Sequence, residues 1–248
     1  MHPILFHIRS TPIYSYGFFV ALGVLAVFLL ADRRAARFGI PQGIAVDLIF
    51  LLFVAGIAGG RMLYVWQNIE DYRHSLWKGF LIQEGGLVWY GGFIFAVAAG
   101  LVYVYWRRQS VLKLLDFFAP LVPLAHGIGR IGCFLNGCCY GRETNGPWGV
   151  IFYGDTVKRH PAQLYEALFL FALSALLFYL SSAKKREGEL FIFYLLFYSA
   201  FRFFIEFWRG DQIVFGYFTL PQWTSLVLFA GASLLLFYIR KRSSFILK

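Results

Sequence analysis

The chain has 248 residues, of which 59% are hydrophobic, 21% are aromatic and only 15% are charged. Soluble domains carry about 25% charged residues, so this composition excludes an ordinary soluble protein. The formal net charge of +10 does not indicate nucleic-acid binding, because basic residues also flank membrane segments. We therefore expect membrane lipids and no nucleic acid as partners.

Long apolar runs follow one another along the chain, and their length suits helices that cross a bilayer core of about 30 Å. Open strands cannot span, because lipid offers their edge groups no hydrogen-bond partner. The sequence predicts an all-α, polytopic membrane protein with one domain over residues 1–248. We expect spans near 14–31, 44–66, 86–106, 114–135, 163–181, 189–208 and 220–239.

Two connections are long enough for small surface structures, residues 67–84 and residues 136–161. The second lies between the fourth and fifth predicted spans, and we interpret it as a small head outside the cytoplasm. Lysine and arginine are concentrated in the alternate connections and in the C-terminal tail. By the positive-inside rule these parts are cytoplasmic, so the N-terminus lies outside and the C-terminus inside.

Charged residues also occur inside the predicted spans, at Arg61, Arg130, Arg202 and Glu206. A charge at mid-bilayer costs about 2.5–3.5 kcal/mol on insertion scales, so these side chains should face a partner or a cavity. Arg202 and Glu206 are spaced to form a pair within one helix, which alone is equally consistent with a structural role. An excess of guanidinium groups favours an anionic ligand, above all a phosphate.

Glycines surround Arg130 at positions 127, 129 and 132. They predict either close packing of helices or a bare surface that a lipid headgroup can approach. A second glycine-rich stretch, "EGGLVWYGG" at 84–92, brackets Tyr90 with two glycine pairs.

All three cysteines, Cys133, Cys138 and Cys139, lie at the predicted outer surface. That location permits a disulfide, although adjacent cysteines pair poorly. A metal site would need all three cysteines, with His126 or His160 as an optional further ligand, and this spacing is not a recognised zinc pattern. We expect no metal and no cofactor, since free cysteine often behaves as a small hydrophobic residue.

Six motifs along the chain resemble those of the prolipoprotein diacylglyceryl transferase family, and they occur in the family's order. They are "YGF" from Tyr16, "GGRMLYV" (59–65), "GRIGCFLNG" (129–137) with Gly141, "HPAQLYEA" (160–167), "RFFIEFWRGD" (202–211) and "PQWTS" (221–225). The resemblance implies a bundle of seven helices with a lipid-filled cavity in the bacterial inner membrane, and no cofactor. It implies transfer of the diacylglyceryl group of phosphatidylglycerol to the lipobox cysteine of a prolipoprotein signal peptide, with release of glycerol 1-phosphate.

The resemblance also implies roles for individual residues. Arg130 and Arg202 match the motif arginines and are expected to clamp the phosphate, with Glu206 orienting Arg202 or a glycerol hydroxyl. Electrostatic stabilisation of this kind is usually the largest catalytic contribution. The expected substrate-binding residues are Tyr16, Arg61, Asn136, Gly141, Gln163 and Arg209.

The base that removes the substrate's thiol proton stays open between three alternatives. Tyr90 stands where family members often have a histidine. His126 lies one helical turn before Arg130, and an imidazole suits neutral pH better than a phenol. The thiol could also ionise unaided, since its ordinary pKa is about 8.5. Two other classes of function also fit buried arginines and exposed thiols, namely an anionic-lipid transporter and a non-catalytic thiol sensor.

Overall fold

The computed structural model describes residues 1–73, 75–81, 85–182, 186–210 and 214–246. Within these ranges the chain is mainly helical. Six helices, or seven spans if a bent pair is taken as one, are long and apolar enough to cross a membrane. The predicted all-α, polytopic membrane fold is therefore confirmed. The helices are α1 (Ser15–Ala35), α2 (Gln42–Gln67), α3 (Ile69–Tyr72), α4 (Trp89–Trp106), α5 (Val111–Phe118), α6 (Leu121–Asn136), α7 (Ala162–Leu180), α8 (Glu189–Ile205) and α9 (Leu220–Ile246).

The bent pair is α5 with α6, which meet at an angle of 41° where the sequence predicted one continuous span. The break falls at Pro120, because proline has no N–H to donate and its ring obstructs the preceding turn. Backbone carbonyls at such a break need donors inside a membrane. Ser174 of α7 supplies one, since its hydroxyl donates to the Pro120 carbonyl at 2.7 Å.

The chain divides into two compact units, which are residues 1–29 with 115–248, and residues 30–114. We call them the large unit and the small unit. Whether residues 1–248 fold together as one membrane domain, as the sequence predicts, stays a prediction.

The small unit is held together by glycines on the facing surfaces of α2 and α4. A Cβ atom added to Gly59 would lie 2.5 Å from the Gly91 carbonyl oxygen, and one added to Gly92 would lie 2.8 Å from that of Gly56. Because lipid provides little hydrophobic drive between helices, such close backbone contact is a main source of association. This explains the glycine pairs on both helices.

The large unit uses two of its glycines in the same way. A Cβ atom on Gly132 of α6 would come within 2.8 Å of Phe19 of α1, and one on Gly127 within 2.8 Å of the Phe171 ring of α7. The buried carboxylate of Asp116 accepts hydrogen bonds from the Gly188 and Phe191 amides at 2.7 and 2.8 Å. A carboxylate there satisfies amide groups that helix α8 leaves without partners at its N-terminus.

Three small antiparallel hairpins complete the described chain. They are β1 (Ile4–Ile8) with β2 (Thr11–Tyr14), β3 (Val150–Ile151) with β4 (Lys158–Arg159), and β5 (Val214–Phe215) with β6 (Phe218–Thr219). The second hairpin lies within the connection 136–161, where small surface structure was predicted. The identification of that connection as an extracytoplasmic head stays a prediction.

Candidate active site

Glu166 of α7 is the centre of a buried charged cluster in the large unit. Its carboxylate forms ion pairs with Arg130 of α6, with Arg209 at 3.3 Å and with Arg202 of α8 at 3.7 Å. Arg202 also pairs with Glu206 at 2.8 Å. We call these five residues the arginine cluster. Three helices therefore converge on one carboxylate.

The second carboxylate of the cluster, that of Glu206, is fixed from the start of α9. Thr219 donates its hydroxyl to Glu206 at 2.9 Å, and its amide donates to Gln222 at 3.0 Å. All three residues are buried. Glu206 is thus held by a polar network of its own, and it can orient Arg202 as the sequence predicted.

The cluster combines three positive with two negative charges, so its members leave a net charge of +1 when the glutamates are ionised. Burial differs among the members. The side chains of Glu166, Glu206 and Arg209 are 4%, 0% and 6% exposed, whereas those of Arg130 and Arg202 are 15% and 16% exposed. The two arginines predicted to bind phosphate are thus the members that stay partly accessible.

Contacts with the described residues use only a part of these two guanidinium groups. Arg130 engages Glu166 through Nε, and Arg202 engages both glutamates through Nη1. Each guanidinium carries five N–H donors. Donors therefore remain for the oxygens of an anion.

Open space lies beside α6 at Gly129, the residue before Arg130. A Cβ atom on Gly129 would meet nothing within 4 Å, in contrast to Gly127 and Gly132. The sequence predicted either packing or a bare surface for these three glycines. Two of them pack against neighbouring helices, and only the glycine next to Arg130 leaves free room.

Arg209 is positioned by the connection between α6 and α7. Gly141 forms a β-bridge with Arg209, and its amide donates to the His160 carbonyl at 2.8 Å. A Cβ atom on Gly141 would lie 2.4 Å from the Trp208 carbonyl oxygen. Glycine is needed here because two backbone segments approach from both sides, so Gly141 acts through backbone geometry.

Gln163 stands one turn before Glu166 on α7 and is fully buried. Its Nε2 donates to the Cys138 carbonyl at 2.5 Å. Its Oε1 has no hydrogen-bond partner among the described residues. A buried acceptor without a partner is costly, and a hydroxyl of a bound headgroup would satisfy it.

Tyr16 and Asn136 lie at the ends of the helices that carry them. Tyr16 is the second residue of α1, half exposed, and its Cα lies 3.3 Å from the position of a Cβ atom on Gly132. Asn136 is the last residue of α6. Both are therefore close in the fold to the segment that carries Arg130.

Cys133 lies in the last turn of α6, Cys138 and Cys139 follow the helix, and all three are free thiols. Hydrogen bonds from Cys133 and Cys138 lower the pKa of the Cys139 thiol, and the charges of Arg130 and Arg209 act in the same direction. An anionic sulfur is thus favoured at Cys139.

His126 lies on α6 one turn before Arg130, as predicted. Its ring is tilted against that of Tyr198 of α8, with 6.0 Å between the ring centroids. This position is compatible with His126 acting as a base and equally with His126 serving only as a packed side chain.

Arg61 and Tyr90 belong to the small unit. Arg61 is 5% exposed, and its three nitrogens donate to oxygens of the connection that follows α2. The acceptors are the carbonyls of Lys78, Gly79, Leu81, Gly85 and Gly86 and the hydroxyl of Tyr72. Tyr90, at the start of α4, is 58% exposed and stacks edge-on with Trp89. The roles of Arg61 in substrate binding and of Tyr90 in catalysis stay predictions.

Sequence reasoning missed Glu166 as a member of the site. It lies inside the quoted motif "HPAQLYEA", three residues after Gln163, and it is an acid within a predicted span. An intramembrane acid facing an excess of arginines was the signal that could have identified it. Thr219 lies outside the quoted motifs. Gln222 lies within "PQWTS", but its link to Glu206 through Thr219 is not visible in the sequence.

Comparison with known proteins agrees with the geometry. The family model "Prolipoprotein diacylglyceryl transferase" matches residues 3–238. A phosphatidylglycerol–prolipoprotein diacylglyceryl transferase of Bordetella bronchiseptica is 35% identical over 97% of this chain and 97% of its own length. Proteins of the same name are 35% identical in Clostridium tetani, over 85% of this chain and 86% of the relative, and 32% identical in Clostridioides difficile, over 98% and 97%. The chain, with its six motifs in order and its arginine cluster built from three of them, therefore belongs to the prolipoprotein diacylglyceryl transferase family.

Proposed function

We propose that this chain transfers the diacylglyceryl group of phosphatidylglycerol to the lipobox cysteine of prolipoproteins. Family membership over nearly the whole chain supports the reaction. The arginine cluster is the observation that supports a location for this reaction, because it has a net positive charge and two partly exposed guanidinium groups. The protein is a multi-pass transferase of the bacterial inner membrane.

The reaction forms one bond and breaks one. The cysteine sulfur of the peptide attacks the glycerol carbon that carries the phosphate, and a carbon–sulfur bond forms. The carbon–oxygen bond to the phosphate breaks, and its electron pair stays on the phosphate oxygen of glycerol 1-phosphate. The thiol proton passes to a base or to water.

The leaving phosphate gains negative charge as that bond breaks, so its stabilisation accelerates the reaction. We assign this to Arg130 and Arg202, because both have donors that the carboxylates do not use. Glu166 and Glu206 hold the two guanidinium planes in place. Such preorganised donors need no rearrangement during the reaction.

The remaining residues surround this clamp. Gln163 presents a buried acceptor for a glycerol hydroxyl. Arg209, the most buried of the three arginines, adds positive charge. Tyr16 and Asn136 flank the segment of Arg130 and are assigned to the headgroup or the peptide. We assign Arg61 to organising the connection after α2, through which it acts on substrate binding indirectly.

Deprotonation of the substrate thiol and hydrogen bonding to the substrate are assigned to two different residues. His126 is the candidate to assist deprotonation of the thiol, because it lies one turn from Arg130. Tyr90 is the candidate to hydrogen-bond the headgroup or the thiol, because it occupies the position of the family's histidine.

We also infer an orientation with the N-terminus outside and the C-terminus in the cytoplasm, from the distribution of lysine and arginine. The phosphatidylglycerol would then come from the outer leaflet, and the connection 136–161 would face the secreted substrate. Reporter fusions after Arg240 and within 136–161 test it. A tail on the outer side would overturn the orientation.

The experiment for the function is a turnover assay with purified protein, phosphatidylglycerol and a lipobox peptide. We expect the peptide to gain the mass of a diacylglyceryl group and glycerol phosphate to appear in equal amount. The matched control is the same peptide with serine in place of its cysteine, which should gain nothing. Lipid movement between leaflets without a peptide product would instead indicate a transporter.

A further inference from the structure

Three cysteine sulfurs converge directly after α6. The Sγ atoms of Cys133, Cys138 and Cys139 all lie within 4.8 Å of one another. In the part of the chain that the structure describes, no other group of three histidine, cysteine or acidic side chains is gathered closely enough to hold a metal ion. We call these residues the thiol cluster.

The end of the helix brings the first two sulfurs together. Gly137 adopts the left-handed conformation, with φ 74°, and its amide donates to the Phe134 carbonyl at 3.1 Å. The Cys138 amide donates to the Cys133 carbonyl, also at 3.1 Å. This pair of hydrogen bonds defines a Schellman motif, in which the second residue after the helix packs against its last turn. Here those two positions are Cys138 and Cys133.

The third sulfur is turned back by an unusual backbone conformation. Cys139 has φ 64°, in the left-handed region that residues other than glycine rarely adopt. Its Sγ lies 3.7 Å from that of Cys138. Gln163 holds the preceding carbonyl through its hydrogen bond to Cys138. Surrounding contacts therefore maintain a strained turn whose result is the convergence of three thiols.

We propose that the thiol cluster binds one thiophilic metal ion, Cu(I), through its three sulfur atoms. Soft thiolate ligands select Cu(I) and zinc. Structural zinc takes four protein ligands in a tetrahedron, and the described residues offer three. A three-sulfur set suits Cu(I), which is stable with three ligands. Each thiol loses its proton to water as its sulfur–copper bond forms, and no electron is transferred.

The spacing of the cysteines along the chain had led us to expect no metal. Spacing describes distance along the chain, and the pattern C-x₄-C-C matched no known zinc motif. The sulfurs meet because a helix cap and a left-handed residue fold the chain onto itself. Neither feature is visible in a list of spacings.

The surroundings favour such an ion in two ways. Cys133 is buried while Cys138 and Cys139 are partly exposed, so an ion has access from one side. Three thiolates and one Cu(I) together carry a charge of −2. The positive charges of Arg130 and Arg209 act on Cys139, and they offset this excess.

One consequence rests on the proposed function, although the binding itself does not. A bound anionic thiolate–metal group would weaken the positive field of the arginine cluster, and phosphatidylglycerol would bind less tightly. Copper should then raise the KM for the lipid more than it lowers kcat. The triple Cys→Ser variant should show no such response.

The test of binding uses the purified full-length chain, reduced and kept without oxygen. Cu(I) is titrated in competition with a coloured Cu(I) chelator, and X-ray absorption reports the ligand atoms. We expect one copper per chain with three sulfur neighbours. Cys133→Ser, Cys138→Ser and Cys139→Ser should each weaken binding by at least about tenfold, since even changes beyond the ligands cost that much. Met62→Leu is the matched control, because it removes an exposed sulfur outside the cluster and should leave affinity unchanged.

Alkylation of the thiols tests the proposal on the unmutated chain, so the result does not depend on whether the variants fold. Intact mass should show the partly exposed Cys138 and Cys139 alkylated in the metal-free chain, neither alkylated with Cu(I), and both alkylated again after chelation. Alkylation of both in the presence of Cu(I) would overturn the proposal, as would unchanged copper binding by the triple variant. Two thiols that react only after reduction would identify a disulfide instead.

Zinc is tested in parallel with Zn(II) alone. We expect weaker binding with an oxygen or nitrogen atom as a fourth neighbour, and tighter binding of zinc than of Cu(I) would overturn the choice of metal. A chain that binds copper as described but transfers no diacylglyceryl group would count against the proposed function alone.

Discussion

Arg61 directs its contacts to backbone carbonyls and one tyrosine hydroxyl, whereas Arg130, Arg202 and Arg209 share two carboxylates. Both arrangements bury guanidinium groups within apolar segments. The first engages all three nitrogens of Arg61, and the side chain is closed off. The second leaves donors and a net positive charge at an accessible edge. A buried arginine therefore indicates a ligand site only where its donors exceed its acceptors.

The largest effect is expected from Arg130→Lys and Arg202→Lys. Lysine keeps the charge but loses the planar pair of donors that phosphate accepts. By comparison with other preorganised donors, each change should lower kcat by about 10²–10³-fold. The turnover assay measures it, with thermal unfolding as the check on folding. Full activity in both variants would show that the cluster is as structural as Arg61.

Glu166→Gln should have the next largest effect. The cluster would then combine three positive charges with one negative charge, and removing one member of a buried charge network typically costs about 3–5 kcal/mol. We expect a lower midpoint of thermal unfolding and lower turnover together. Glu143→Gln is a suitable control, because that carboxylate is mostly exposed and pairs with Arg159 at the surface. Equal stability of the two variants would contradict a central role for Glu166.

The comparison extends to the two candidate bases, His126 in the large unit and Tyr90 in the small unit. His126→Gln should slow turnover about tenfold near neutral pH and recover as the pH approaches the ordinary thiol pKa of about 8.5. Tyr90→Phe should be slower at every pH, because a lost hydrogen bond does not depend on ionisation of the thiol. A pH–rate profile that matches the wild type for His126→Gln would place the base elsewhere.

Arg61→Lys directly tests the contrast between Arg61, whose donors are all engaged, and the arginine cluster. Lysine cannot reach the several carbonyls that the guanidinium holds, and each unsatisfied buried group costs about 1–3 kcal/mol. We expect a lower midpoint of thermal unfolding, while kcat per folded molecule stays within about twofold. A loss of kcat as large as that of Arg202→Lys, without a change in stability, would give Arg61 a direct role in catalysis.

The smallest effect is expected for the triple variant Cys133→Ser, Cys138→Ser and Cys139→Ser. The attacking sulfur comes from the substrate, so basal turnover without metal should stay within about twofold, with some loss of stability from the buried Cys133. The metal-free turnover assay decides it. A folded variant that transfers nothing would assign the thiols a chemical step.

Much of the fold and part of the site were predictable because they depend on local patterns. Long apolar runs locate the helices, since a bilayer of fixed thickness requires a minimum apolar length. Motifs in family order selected Arg130, Arg202 and Glu206 as site candidates, and their roles in the reaction stay predictions. The break at Pro120 was not predicted, because a span can tolerate proline when a neighbouring helix supplies a donor, and Ser174 is distant in sequence.

The sequence by itself determined the membrane class, the helices and the family, because hydrophobicity and motif order are properties of the chain. Only the tertiary structure distinguished the contacts of Arg61 from those of the arginine cluster, placed Glu166 at the centre of that cluster and gathered three thiols at the C-terminal end of α6. These depend on which donors and acceptors meet across helices. A guanidinium has the same chemistry in every span, and its partners, which lie far away in sequence, decide whether it supports a loop or remains available to a phosphate.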